Sequence, residues 1–554
     1  MKKWVLWTIV MAAFLLQMLV VMPSGSHFCD NSICGLFYWG AHEHDGIWHL
    51  ALINNALSSW PAAFPTYAGA MLSGYNALLD MVLRLINSIT KIPASTLYFK
   101  IIPLLWFGSM VWVWSKFGRI YSKSKWFVSS LLFFIFFGNS FSYLFRYFHE
   151  GSIWGASGIL SMQSPQMLNN IQFALTLPLL GLLLILFKKD EFTWKDILVF
   201  GCLNFLMMGF KFYGGIVAFT MSLAFVTTIL FQKKWKSGIA IGVSTIIGFG
   251  LSTLLFYNPL HAISSSAILS WKPLATVHPI IEEIGLFYAP SIANLRNNLY
   301  ASGGGVRLVL IELSTLLLFI VFNWGTRVIG ILAVRRKSFD YVLLTGILTG
   351  LIMNVLFIQR GEWWNTVQFL YYATFLSNIY AADVLSKWMD GGKLRNLLVV
   401  MVVILTLPNM IDTYRIFSSY PPQSYVSDTE LEALAQLKAL TPGTVLALPS
   451  GTTVESTLQI PRPLYSRYDT AYVAAFSGKQ TYLNDLVQLR LTGIDYAERL
   501  EEINRGQCSV LAQVKYIYVA GDESQILPWK KCNTYQLSEI YKNNEATIFA
   551  VSPQ

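Results

Sequence analysis

Long apolar runs separated by short polar stretches dominate the first three quarters of the chain. A run of about 18 or more apolar residues can cross the hydrocarbon core of a bilayer as a helix. Runs of this kind, or close to it, fall at 4–22, 95–115, 126–145, 169–187, 196–210, 214–231, 238–257, 306–324, 341–358, 367–385 and 396–411. The pattern predicts a mostly α, polytopic membrane protein of about 11 transmembrane helices. The stretch 74–90 also reads as helical, but Asn76, Asp80, Arg84 and Asn87 suit a helix lying on the membrane interface. After residue 412 the pattern changes. Turn signals at Pro421-Pro422 and Pro442-Gly443, a helical period over 427–440 and short β-like runs at 444–448, 514–519 and 546–551 predict a small α/β domain. The expected organisation is therefore a transmembrane domain over 1–412 and the α/β domain over 413–554.

Charge orients these elements. Of the 554 residues 54% are hydrophobic and only 13% charged, against about 25% in soluble proteins. The net charge of +10 does not imply nucleic-acid binding, because the basic residues lie in short clusters between apolar runs. Lys116–Lys125, Lys188–Lys195, Lys233–Lys236, Arg327–Lys337 and Lys387–Arg395 bound every second loop, in phase with Lys2 and Lys3. By the positive-inside rule those loops are cytoplasmic, with the N-terminus inside and the C-terminus outside. The initial apolar run exceeds a secretory h-region and no A-x-A-like cleavage site follows, so it reads as an uncleaved first span. Two long external loops result, 23–94 with its juxtamembrane helices and 258–305. Cys29, Cys34, Cys508 and Cys532 all fall outside, where disulfides form, and the expected pairs are Cys29–Cys34 and Cys508–Cys532.

The external segments hold the polar chemistry. His42-Glu43-His44-Asp45-Gly46-Ile47-Trp48-His49 places three imidazoles and two carboxylates in one short stretch. Such a cluster serves as a general base with its supports, as a metal site, or as an ordinary solvated loop. A helical reading of 48–60 as amphipathic follows, then Pro61, Phe64-Pro65, Gly69 and Tyr75 lead toward the interfacial helix.

An external acid after the first span, a juxtamembrane helix, a Pro-containing turn and a second juxtamembrane helix resemble the plan of the GT-C superfamily, membrane glycosyltransferases that use polyprenyl-phosphate-linked sugars. The stretch from His44 to Ile53 is similar to its bacterial branches. Ser164-Pro165-Gln166-Met167-Leu168-Asn169-Asn170, Phe210-Lys211-Phe212-Tyr213, Arg360-Gly361-Glu362-Trp363-Trp364-Asn365-Thr366-Val367-Gln368 and, in the last domain, Ala475-Phe476-Ser477-Gly478-Lys479-Gln480-Thr481-Tyr482 fall where such proteins have related segments.

The resemblance implies an inverting glycosyltransferase. It would move a hexose or pentose from a polyprenyl-phosphate carrier to an extracytoplasmic glycan, lipid or protein at the cytoplasmic membrane. Asp45 would be the base that takes the acceptor's proton; its structural alternative is a helix cap over Trp48 and His49. Glu43 is the rival carboxylate, since family members often show adjacent acids and here His44 separates the two. His42, His44 and His49 would orient the acid or bind phosphate, with a divalent metal on the imidazoles and acids left open. No other cofactor is expected. Lys211, inside an apolar run, would neutralise the departing phosphate or else snorkel to the interface. Arg360 offers bidentate oxyanion binding. Glu362, Asn365 and Gln368 would hold sugar hydroxyls or Arg360, and Gln166 would line a further loop on the same side. A polyprenyl-linked glycan transporter or flippase, or a non-catalytic scaffold derived from a glycosyltransferase, are the rival classes. Transport calls for polar residues deep within the spans, whereas here they are expected at the external edges.

Overall fold

The computed structural model describes residues 3–30, 33–58, 60–155, 167–257, 269–282, 289–335, 337–359, 363–448, 460–466 and 470–554. Arg360, Glu362 and Gln166, which the sequence singled out, lie outside the described residues. Ten strands are named in chain order: β1 Ser26–Asp30, β2 Ile33–Tyr38, β3 Leu269–Trp271, β4 Phe357–Gln359, β5 Ser424–Ser427, β6 Val445–Leu448, β7 Arg462–Pro463, β8 Tyr516–Ala520, β9 Tyr535–Lys542 and β10 Ala546–Pro553.

Each of the eleven apolar runs falls on a helix. Among the described residues, seven helices are long and apolar enough to cross a membrane: Lys3–Val21, Ala94–Tyr121, Phe212–Phe231, Trp235–Tyr257, Val306–Ala333, Ser338–Leu356 and Lys393–Phe417. The pair Phe127–Phe137 and Ser142–Glu150, bent by 48°, makes an eighth if counted as one span. The other runs fall short for identifiable reasons. Ile171–Leu186 has 16 residues and Trp194–Phe210 has 17. Trp363–Met389 has 27 but carries Asn365, Gln368, Asn378 and Asp383. Large apolar side chains remain exposed on the membrane-length helices; Val306, Val309, Leu310, Leu313 and Leu317 line one such surface. A surface of that kind needs lipid rather than water around it. The protein is a multi-pass membrane protein.

The chain divides into two compact units. The helical unit comprises Met1–Met18, Leu104–Leu255 and Ile268–Phe417. Its interior departs from the sequence expectation, because polar residues do sit deep within the helices. Several of them pair with one another: Arg327 Nε donates to Asn378 Oδ1 at 2.8 Å, Trp324 Nε1 to Ser377 Oγ at 2.8 Å, and Asn409 Nδ2 to Asn139 Oδ1 at 2.8 Å. Buried polar groups committed to protein partners stabilise packing in place of lipid contact.

The mixed unit comprises Leu19–Pro103, Phe256–Ala267 and Ser418–Gln554, so the segment after the first span folds together with the C-terminal segment. Its first sheet runs β1-β2-β5-β7, with β2 antiparallel to β5 in the register Gly35↔Ser427 to Tyr38↔Ser424. Gly35 is required at that crossing, since a Cβ there would collide with the Val426 carbonyl. The second sheet runs β6-β8-β10-β9, with β6 and β8 parallel and the remaining pairs antiparallel. Both expected disulfides are present, Cys29–Cys34 and Cys508–Cys532. The interfacial stretch forms the helix Leu78–Thr90. The stretch read as amphipathic over 48–60 is instead the helix Asp45–Asn54, with every residue from Gly46 to Ile53 buried. Its polar His49 is covered by Asp80 and Tyr98 rather than by solvent.

Candidate active site

The acidic–imidazole stretch lies at the start of this buried helix. A short 3₁₀ turn, Gly40–Glu43, runs into Asp45–Asn54 with His44 at the junction. The cap position therefore belongs to His44, which makes no side-chain cap hydrogen bond, and Asp45 is the first helical residue. That removes the alternative reading of Asp45 as a helix cap. A negative side chain in the first turn is favoured by the partial positive charge of the free N–H groups there. Gly46 makes the close approach possible: an added Cβ would lie 2.8 Å from the ring of Phe99.

His44 joins two carboxylates. Its Nε2 lies 3.1 Å from Asp485 Oδ1 and its Nδ1 lies 3.4 Å from Asp45 Oδ1. Asp485 is fully buried, whereas the Asp45 side chain keeps 40% of its exposure. Burial opposes charge on His44, but the field of Asp485 and the contacts to both acids outweigh it and push the imidazole up to about 11. It is an imidazolium at neutral pH, held on the buried acid and presenting its other nitrogen to the accessible one. Asp485 is itself fixed, accepting the Gln488 N–H at 3.2 Å as cap of the helix Leu486–Thr492.

The other two histidines go elsewhere. His42 is fully buried, packed edge-on against Phe99 with ring centroids 5.2 Å apart, and neither ring nitrogen has a hydrogen-bond partner among the described residues. Burial pushes it down to about 4 despite the opposing field of Asp45, so it is a neutral ring. His49 pairs through Nδ1 with both oxygens of the buried Asp80, at 3.0 and 3.1 Å, and stacks on Tyr98. Burial first, then the fields of Asp80 and Asp45, push the Tyr75 phenol well above its ordinary value and keep it a donor. Glu43 is half-buried in the 3₁₀ turn. Among the described residues, no group of three or more His, Cys, Asp and Glu side chains could hold a metal ion. The three imidazoles do not converge, and two of them are already committed to separate carboxylates. This donor set does not fit the divalent metal left open by the sequence.

Sequence reasoning missed Asp485 altogether and read Asp80 as an interfacial polar residue. Asp485 follows His44 by 441 positions, and no local pattern links them.

The remaining described residues of the expected site belong to the helical unit. Lys211 occupies the extended junction between Trp194–Phe210 and Phe212–Phe231 and is only 6% exposed. Its Nζ lies 5.7 Å from the Tyr213 ring. Tyr213 in turn donates to Gln359 Oε1 at 2.6 Å and packs edge-on against Phe369, centroids 5.0 Å apart. The Lys211 junction is thereby tied to the segment that carries the half-buried Asn365 and Gln368.

No protein-family model matches the chain, and no curated protein matches it in sequence. Solved structures do. The oligosaccharyltransferase of Archaeoglobus fulgidus in the apo form matches with a TM-score of 0.50 at 13% identity, over 100% of this chain and 75% of that one. ArnT from Cupriavidus metallidurans bound to undecaprenyl phosphate matches with a TM-score of 0.45 at 10% identity, over 99% and 98% of the two chains. The arabinofuranosyltransferase AftD from Mycobacteria matches with a TM-score of 0.47 at 10% identity, over 100% of this chain and 40% of that one. At such identities the likeness is one of fold. The first of them shows that the chain shares the fold of the Archaeoglobus fulgidus oligosaccharyltransferase.

Proposed function

We propose that the protein is an inverting glycosyltransferase of the cytoplasmic membrane that uses a polyprenyl-phosphate sugar and acts on its extracytoplasmic side. The observation that carries this reading is the accessible Asp45 carboxylate, oriented by an imidazolium anchored on buried Asp485, in a chain with the fold of an oligosaccharyltransferase. Both disulfides lie in the mixed unit, which suits an oxidising compartment.

In the proposed reaction Asp45 accepts the proton of an acceptor hydroxyl on a glycan, lipid or protein. The hydroxyl oxygen forms a bond to the anomeric carbon as the bond from that carbon to the phosphate oxygen breaks. The electron pair leaves with the polyprenyl phosphate, and attack from the opposite face inverts the centre. A hydroxyl is a weak nucleophile at neutral pH, and a positioned base contributes about 10²–10⁴-fold. Lys211 and Arg360 are the proposed cations for the leaving phosphate, a service that a fixed positive charge gives to a developing anion. Asn365, Gln368, Glu362 and Gln166 are proposed to bind sugar hydroxyls. Glu43 stays the second candidate base, and His44 is a positioning residue rather than a proton acceptor, since it is already charged.

The test is transfer by purified protein from radiolabelled polyprenyl-phosphate sugars to envelope acceptors. Asp45→Asn is expected to lower turnover by about 10²–10⁴-fold with unchanged thermal stability. Undiminished transfer by that variant, with loss in Glu43→Gln, would move the base to Glu43. Sugar accumulating inside sealed vesicles with its phosphate bond intact would replace transfer by transport.

A further inference from the structure

The segment from Ala475 to Gln480 takes no part in the chemistry above, yet it lines a cleft of about 830 Å³ in the mixed unit. The cleft lies at the far end of the Asp45–Asn54 helix. Asn54 follows Asp45 by nine positions, roughly 14 Å along the axis. Its walls include Arg84, Lys91, Lys438 and Lys479 and, among the described residues, no carboxylate. Arg84, Lys91 and Lys438 enter no ion pair among the described residues, and Lys438 and Lys91 are exposed. Lys479 is nearly buried, with Nζ donating to the carbonyls of Leu440 at 2.7 Å and Thr441 at 3.1 Å. Like charges gathered without counter-ions around one cavity leave a field that an anion relieves.

The neutral lining narrows the class. Asn54 Nδ2 donates to Ala475 O at 2.9 Å, Asn87 Nδ2 to Ile92 O at 2.7 Å, and Gln480 Nε2 to Phe64 O at 3.0 Å. With one N–H of each amide spent on the backbone, each keeps its oxygen as an acceptor and a second N–H as a donor. Acceptors match hydroxyl groups, as cations match oxyanions. Phe476 adds a ring on which the apolar face of a sugar can rest. The volume lies within the roughly 300–1,000 Å³ of small-molecule sites.

We propose that this cleft binds an acidic saccharide, one bearing carboxylate or phosphate groups, as part of the acceptor. The saccharide's role as acceptor rests on the glycosyl-transfer reading; its binding does not.

The experiment uses the full chain in nanodiscs of zwitterionic lipid, with trigalacturonate as the acidic probe and maltotriose as the neutral one, by calorimetry at low salt. Trigalacturonate should bind and maltotriose should not. Arg84→Gln and Lys438→Gln should each weaken binding about 10-fold, and Lys438→Arg should restore it, with thermal stability unchanged. Equal binding of the two sugars, or no change in the Gln variants, overturns the proposal. So does loss of trigalacturonate binding in nanodiscs containing phosphatidylglycerol, which would assign the cleft to a lipid headgroup. Binding that persists while every transfer assay fails leaves the cleft standing and removes the transferase. Transfer to a neutral acceptor by a protein that binds no trigalacturonate does the reverse.

Discussion

The two ends of the helix Asp45–Asn54 carry opposite electrostatics. At the N-terminal end an accessible acid is held by a charged imidazole whose own counter-charge is buried. At the C-terminal end cations surround a cleft with no acid among the described residues of its lining. Between them Gly46–Ile53 is packed on all sides, so the helix acts as a rigid spacer within its unit. The difference teaches that the two ends suit different parts of one ligand chemistry: proton removal at one, recognition of negative charge at the other.

The comparison is sharpened first by breaking the spacer's anchor. His49, halfway along the helix, pairs with Asp80 of Leu78–Thr90, and both are buried. Asp80→Ala strands the imidazole and should cost about 3–5 kcal/mol, read as a fall in the thermal midpoint in detergent. If stability is unchanged, the pair is not what holds the helix. Next comes the clamp. Asp485→Asn or His44→Gln should reduce turnover by up to about 100-fold with little change in KM, because Asp45 loses its orientation and not its proton affinity alone.

The same clamp makes a pH prediction with a definite sign. The folded-state value of His44, about 11, lies above its ordinary 6.5. Its stabilising contribution is therefore complete below about 6.5 and disappears only as pH rises through about 11. A pH–rate profile should show no loss from His44 between roughly pH 6 and 9, and the deficit of His44→Gln should be constant across that window. A deficit confined to acid pH would show that the imidazole is neutral in the protein.

Smaller effects follow. Gly46→Ala forces a methyl to within 2.8 Å of Phe99 and should cost about 1–3 kcal/mol, since overpacking displaces the ring. Glu430, on the helix Asp428–Ala439 whose last turn supplies Lys438 to the cleft, is fully buried beside Tyr518. Burial pushes its carboxyl from 4.5 up to about 8. The unfolded chain thus releases this proton first, and stability falls as pH rises from about 4.5 to about 8. Glu430→Gln should remove that dependence and raise the midpoint at pH 7.5, by about 2–4 °C for each 1 kcal/mol recovered.

Much of the molecule is legible in the chain. Apolar run length placed every long helix, because a span needs about 18 apolar residues in succession and that is a local property. The helix Asp428–Ala439 and strands β6, β8 and β10 also followed from local period and turn residues. The candidate site was legible only in part. Asp45 and His44 stand together in the sequence, but the polar letters of 74–90 looked solvated, and nothing local distinguished buried Asp80 from exposed neighbours. Nor does anything local mark which polar residues inside Trp363–Met389 turn inward. Whether Asn378 faces lipid or Arg327 is decided by a neighbour 51 positions away.

By itself, then, the sequence determined the membrane setting, the presence of a last α/β region and the acid-rich turn after the first span, all written in the order of adjacent residues. Tertiary structure alone decided that three histidines within eight positions become a neutral ring, an imidazolium and a buried structural partner. The role of an imidazole depends on its surroundings. Those surroundings, Phe99, Asp485 and Asp80, come from parts of the chain that meet only when it folds.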